Sequence, residues 1–255
     1  MRSLISSAIL FSFVPLLLCG CPEEGADLRR YAIEVRNISS QPMSPVVAAA
    51  HEAGVAMWEA GQLAGPGIGG LAETGELTTL IEDLQARTGV TEVAYTVLPM
   101  PAAGLQVPRF GAYAGTGPDL TDTQTLELDA MPGDVLSLAG SLLGTNDGFW
   151  GIDRASLPES GTLVYFAFGY DAGTEENNEL EAFINDDASL LGPEPVPGDE
   201  PGVEADSDNR TSATAPPNGI RRHDGILGAG DIPPSYEFDG VIMRIEATRV
   251  PLGGE

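Results

Sequence analysis

Alternation of apolar and polar residues in short runs, each closed by turn residues, is the feature that most constrains this chain. Tyr31 to Ile38 alternates in this way and ends in Ser39-Ser40-Gln41-Pro42, as a strand with one buried face does. Ser44 to His51 reads as a second strand. The same period returns in Val90 to Leu98, Thr123 to Leu128, Val135 to Leu142, Thr162 to Phe168 and Val241 to Val250, with Pro, Gly or Asp between the runs. About seven short strands so spaced predict a mainly β fold, an antiparallel β-sandwich. The 32 Gly and 20 Pro of the chain suit many turns better than a helical bundle.

Two short helices interrupt the pattern. Ile68 to Gly75 predicts one, ended by Gly75. Leu77, Leu80, Ile81 and Leu84 recur at three- and four-residue steps, closed by Arg87 and Gly89, and predict the other. Both are expected to cover one end of the sheet. Gly65-Pro-Gly-Ile-Gly-Gly70 lacks the Lys of a phosphate loop and reads as a flexible turn.

Residues 1–21 read as an address. Arg2 precedes an apolar run from Leu4 to Leu18, and Leu18-Cys19-Gly20-Cys21 follows before the acidic Glu23-Glu24. This is the pattern of a secretory signal peptide, and its end resembles a bacterial lipobox, which makes Cys21 the lipidated residue. Residues 22–29 are then a linker and 30–250 the folded domain. Both cysteines lie in the address, so the domain has no disulfide framework and no thiol nucleophile. The expected location is the bacterial cell envelope, with the N-terminal lipid as the only membrane contact.

The chain has 12 Arg, no Lys and 38 acids, a formal charge of -26. Phosphate backbones need a basic patch, and Arg occurs here only singly or as the pairs Arg29-Arg30 and Arg221-Arg222, so nucleic acid is not an expected partner. The interval 192–218 holds six prolines among many acids and almost no large apolar residue; it reads as a loosely held acidic loop.

The densest polar cluster falls in Gly144-Thr-Asn-Asp-Gly-Phe-Trp-Gly-Ile-Asp153 and Gly169-Tyr-Asp-Ala-Gly-Thr-Glu-Glu-Asn-Asn178. Each stretch follows a strand-like run, so Asp147 and Asp171 are placed where strands meet loops, able to converge at one edge. Convergent carboxylates on glycine-containing loops are what Ca²⁺ requires, because it takes six to eight oxygens. The Asp171 to Glu175 spacing permits a tight turn in which Gly173 takes an unusual dihedral angle. Solvated turn acids are the plain alternative, and a hydrolase using paired carboxylates on a glycan is another. Asp153 reads as a turn or capping residue, and Phe149 and Trp150 as core. His51 and His223 are the only histidines and stand 172 positions apart, so a histidine zinc site is not expected. A Ser-His-Asp triad has no nucleophile context in the sequence.

Thr145 to Asp153 followed by Tyr170-Asp-Ala-Gly-Thr-Glu175 resembles the paired signature of the spondin N-terminal domain, found in F-spondin, mindin and many bacterial secreted proteins. Ser44-Pro-Val-Val with His51, and Gly70-Leu-Ala-Glu-Thr-Gly75, resemble the same family's first strands and helical segment, so the resemblance spans about residues 30–250. It implies a C2-like β-sandwich, a bound Ca²⁺ ion held by Asp147, Asp171 and Glu175, and a non-enzymatic role in adhesion to a protein or glycan at the cell surface. Glu175 stands where animal members often have Asp, and Gly148 where their pattern has Trp. A structural envelope protein whose calcium only stabilises the fold is the remaining alternative.

Overall fold

The computed structural model describes residues 27–97, 122–175, 177, 179, 180, 184, 218–232 and 234–251. The signal peptide with Cys21, most of the linker, and the acidic loop apart from Asn218 lie outside them. In chain order the elements are β1 (Arg29–Asn37), β2 (Val47–His51), α1 (Pro66–Thr74), α2 (Thr78–Ala86), β3 (Val90–Tyr95), β4 (Thr123–Ala130), β5 (Val135–Ser141), β6 (Gly148–Ser156), β7 (Thr162–Asp171), β8 (Arg221–Arg222) and β9 (Val241–Arg249). The fold is mainly antiparallel β with two short helices, as the alternation predicts.

One sheet runs β3-β2-β5-β6-β7-β9-β1-β4, with β8 added beside β7. Its two ends meet, because β3 lies against β4 and the Glu92 carboxylate on β3 accepts from the Asp129 amide on β4. The sheet is therefore nearly closed and sandwich-like, and most of its strand edges are removed from solvent.

Two apolar clusters follow from the alternation. Ile33, Val35, Leu128, Leu138, Trp150 and Ile245 fill the inside of the sheet. Val47, Ala49, Ala139 and Phe149, on the opposite pleat, meet Ile68, Leu71, Leu80 and Leu84 of the helices. All five residues of β2 are buried because both of its faces are covered. Phe149 and Trp150, adjacent on β6, go one to each cluster and are fully buried. Gly140, opposite Trp150, makes that possible, since a Cβ there would lie 2.6 Å from the indole nitrogen.

The sequence expectations need correction at three places. Gly148–Ser156 is a full strand and not a loop; its glycines and short polar side chains disguise the alternation. Gly65–Gly70 is not a flexible turn but the start of α1, with Pro66 at the first position, where its missing N–H costs nothing. Gly67 lets the two helices touch there, a Cβ being 2.8 Å from the Leu80 Cα. Asp153 lies within β6 instead of at a turn. Its carboxylate accepts from the Met57 amide, the Ser137 hydroxyl and the Arg154 guanidinium, so it anchors the 57 segment to the sheet.

Candidate functional site

The register of β6 and β7 brings the predicted acids together. Gly148 pairs with Asp171, and the Ala172 amide donates to the Asp147 carbonyl at 3.0 Å, so Asp147 and Asp171 flank the last rung of the ladder. The turn beyond β7 is built around Gly173, with φ of 71°. Its amide donates to Asp171 Oδ1 at 2.7 Å, and its carbonyl accepts from the Asn218 amide at 3.0 Å. A Cβ on Gly173 would sit 2.2 Å from the Asn218 carbonyl oxygen, so only glycine fits both the dihedral and the space.

That turn aims two amides at Asp147. Thr174 N and Glu175 N donate to Asp147 Oδ2 at 2.8 and 2.9 Å, an arrangement that holds an anion. Asp147 Oδ1 is equally buried and has no hydrogen-bond partner. The whole Asp147 side chain is shut off from solvent, and burial together with the charge of Asp171 pushes its carboxyl up to about 6.

Asp171 is fully buried too, but both of its oxygens are occupied. Oδ2 accepts from Asn177 Nδ2 at 2.7 Å and from the Arg221 guanidinium at 2.6 Å. Arg221 is half-exposed and reaches Asp171 because β8 pairs with β7 at that residue. Glu175 is buried in the same turn and contributes its amide to Asp147.

The structure thus brings all three predicted residues to one buried edge of the sheet, Asp147 just before β6, Asp171 at the end of β7 and Glu175 in the turn beyond it, with Asp147 and Asp171 side by side. Among the described residues, no three His, Cys, Asp or Glu side chains meet as a preformed metal cluster. The donor set is nonetheless all oxygen, and Asp147 Oδ1 is left without a partner, which suits a hard cation. Sequence reasoning did not assign Arg221 or Asn177 to this site. Arg221 was visible as half of an arginine pair, but only the β7–β8 pairing gives it a partner.

Of the two histidines, His51 is built into the sheet at the end of β2. His51 is fully buried and bonds Ser137 Oγ at 2.7 Å and the Glu52 carbonyl at 2.9 Å. Ser137 in turn donates to Asp153 at 3.0 Å. Serine therefore stands between the imidazole and the carboxylate, and both Ser137 and His51 are sealed from solvent, so this is not a catalytic triad.

No helix among the described residues is long and apolar enough to cross a membrane. No protein-family model matches the chain, and no curated protein matches it.

Proposed function

We propose that this chain is a non-enzymatic recognition module of spondin type, exported and anchored to the bacterial envelope through a lipid on Cys21, with Ca²⁺ ordering one edge of its sheet. The observation that carries the calcium reading is Asp147 Oδ1, a buried carboxylate oxygen without a donor, beside the negative charge of Asp171. Leaving such an oxygen bare costs about 1–3 kcal/mol or more, so a site that keeps it is one that a bound ion completes. Asp147, Asp171 and Glu175 would hold the ion, whose two positive charges offset the repulsion between the carboxylates. The chain's own residues do the rest: Gly173 sets the turn, the Thr174 and Glu175 amides fix Asp147, and Arg221 fixes Asp171. The product is a rigid edge that can be presented to a protein or glycan at the cell surface.

Thermal melting of the purified protein tests this, first in excess chelator and then in millimolar Ca²⁺ or Mg²⁺. We expect stabilisation specific to calcium, about 2.7 kcal/mol at a hundred times the dissociation constant, and absent from Asp147→Asn and Asp171→Asn. No shift in the wild type, or an equal shift in the variants, overturns the assignment.

A further inference from the structure

Beside the Asp171 turn, the segment from His223 to Ile232 folds back and, with Asn146, Asn177 and Glu179, walls a cavity of about 150 Å³. Glu179 organises this wall. Its carbonyl accepts from the Asp231 and Ile232 amides at 3.0 and 3.3 Å, and its carboxylate accepts from the Leu227 and Ala229 amides at 2.5 and 2.6 Å. It does so from a left-handed backbone, φ 53°, which costs a residue with a side chain on the order of 1 kcal/mol or more. A strained residue that gathers four amides fixes the cavity's shape before anything binds.

Three features of the lining define a ligand. His223 Nδ1 accepts from the Gly225 amide at 3.0 Å, so the ring's proton is on Nε2, which no described residue engages; the ring is held by packing on Phe238, with centroids 5.1 Å apart. Asn177 spends an N–H on Asp171, which leaves its carbonyl oxygen as an acceptor. Ile226 and Ile232, buried for the most part in a cluster with Ile184 and Tyr236, form the apolar floor of the cavity. The ligand must therefore accept from one side, donate to another and show a C–H face to the isoleucines.

Charge narrows the class further. Among the described residues, Asp171, Asp224 and Glu179 act on the His223 ring against one cation, Arg221, so an anion meets a repulsive field. A simple cation cannot accept from Nε2–H. An enclosed cavity of about 150 Å³ holds a ring the size of benzene, and this one opens to solvent, so a single six-membered ring fits only with its substituents projecting from the mouth. We propose that this cavity binds one neutral pyranose ring of a glycan, its hydroxyls bonded to His223 and Asn177 and its C–H face against Ile226 and Ile232. The proposal rests on reading this end of the sheet as the recognition edge, and not on calcium.

Saturation-transfer NMR on the whole purified protein tests it, with the methyl glycosides of glucose, mannose and galactose as probes and methyl glucuronide as the anionic control. Each is run in chelator and in millimolar calcium. We expect at least one neutral glycoside to bind in both conditions and the glucuronide to bind at least tenfold more weakly. His223→Phe, which keeps the stacking on Phe238 but removes Nε2–H, should weaken binding about tenfold. Leu227→Trp, at an exposed residue on the rim, should block it while leaving the melting temperature unchanged. Absence of binding by all three neutral glycosides, equal binding of the glucuronide, or unchanged binding in both variants overturns the proposal. Sugar binding without any calcium-dependent melting shift would overturn the calcium reading alone; a calcium shift without sugar binding would overturn only this one.

Discussion

Two carboxylates on the same strand-pair system, Asp147 fully buried and Asp153 half-buried, differ in how completely they are satisfied. Asp153, in β6, accepts from Met57 N and Ser137 Oγ through one oxygen and from Arg154 through the other. Asp147, one residue before β6, receives two turn amides on one oxygen and nothing on the other. Both are acids hydrogen-bonded to neighbouring polar groups. A carboxylate whose oxygens all have donors is part of the fold and needs no further partner. One that keeps a bare oxygen beside a like charge lowers the stability of the empty protein, and that cost is what makes a ligand's contribution large.

The hardest way to break this contrast is to remove the satisfied member. Asp153→Ala strips acceptors from the Met57 amide and Ser137 and frees Arg154, at a bulge where Arg154 already holds φ of 55°. We expect a loss of about 4 kcal/mol, since orphaning several part-buried donors at once costs about 1–3 kcal/mol each before relaxation. Denaturant titration checks it, and calcium should restore none of the loss. A loss under about 1 kcal/mol would mean that the network adds little beyond packing.

Proton linkage gives the next largest effect. The Asp147 carboxyl sits at about 6 in the folded protein, above its ordinary 3.8, so the native state holds that proton more tightly than the unfolded chain does. Its contribution therefore favours the fold fully below pH 3.8 and is lost as pH rises through about 6. The gap corresponds to about 3 kcal/mol. His223, whose pKa burial lowers, works in the opposite direction in acid, so wild type must be compared with Asp147→Asn. In chelator, the stability of wild type relative to this variant should fall between pH 4 and 7. A difference that is flat with pH would mean that Asp147 is not held protonated.

At pH 8 in chelator the same substitution should stabilise the protein by about 2 kcal/mol, because the amide oxygen can keep the Thr174 and Glu175 donors while the charge is gone. This outcome is opposite in sign to that of Asp153→Ala. Thermal melting of the two variants side by side reads the contrast directly, and destabilisation by both would erase it.

How far the sequence foretold this depends on what kind of signal each region carries. Strand alternation in Tyr31–Ile38 and Val241–Val250 and the three- and four-residue steps of the second helix are local, and the elements formed where that pattern placed them. The turn at Gly173 was legible for the same reason, because a glycine between two acids at that spacing has few other uses. β6 was not, since Gly148, Gly151 and Asp153 break the alternation, and only the pairing with β5 and β7 on either side makes the segment a strand. Arg221 reaches Asp171 across 50 positions through the two-residue strand β8, a contact that no local pattern encodes. The loop clasped by Glu179 is equally long-range, its four amides coming from residues 48 to 53 positions away.

Arg221 decides the finest point of the contrast, namely whether Asp171 belongs with the satisfied or the waiting kind. Its guanidinium lies 2.6 Å from Asp171 Oδ2 and supplies the only positive charge bonded to the buried pair among the described residues. It is half-exposed, so solvent screens it, and Arg221→Gln should cost about 1 kcal/mol in chelator. In calcium the sign should change. An ion held by Asp171 and Asp147 repels a guanidinium on the same carboxylate, so removing Arg221 should tighten calcium binding several-fold by calorimetric titration. The variant would then melt below wild type without calcium and recover more than wild type does when calcium is added. If calcium affinity instead fell with Arg221 gone, the arginine would be ordering the turn for the ion rather than standing in for it, and Asp171 would join Asp153 as a carboxylate that the fold has already completed.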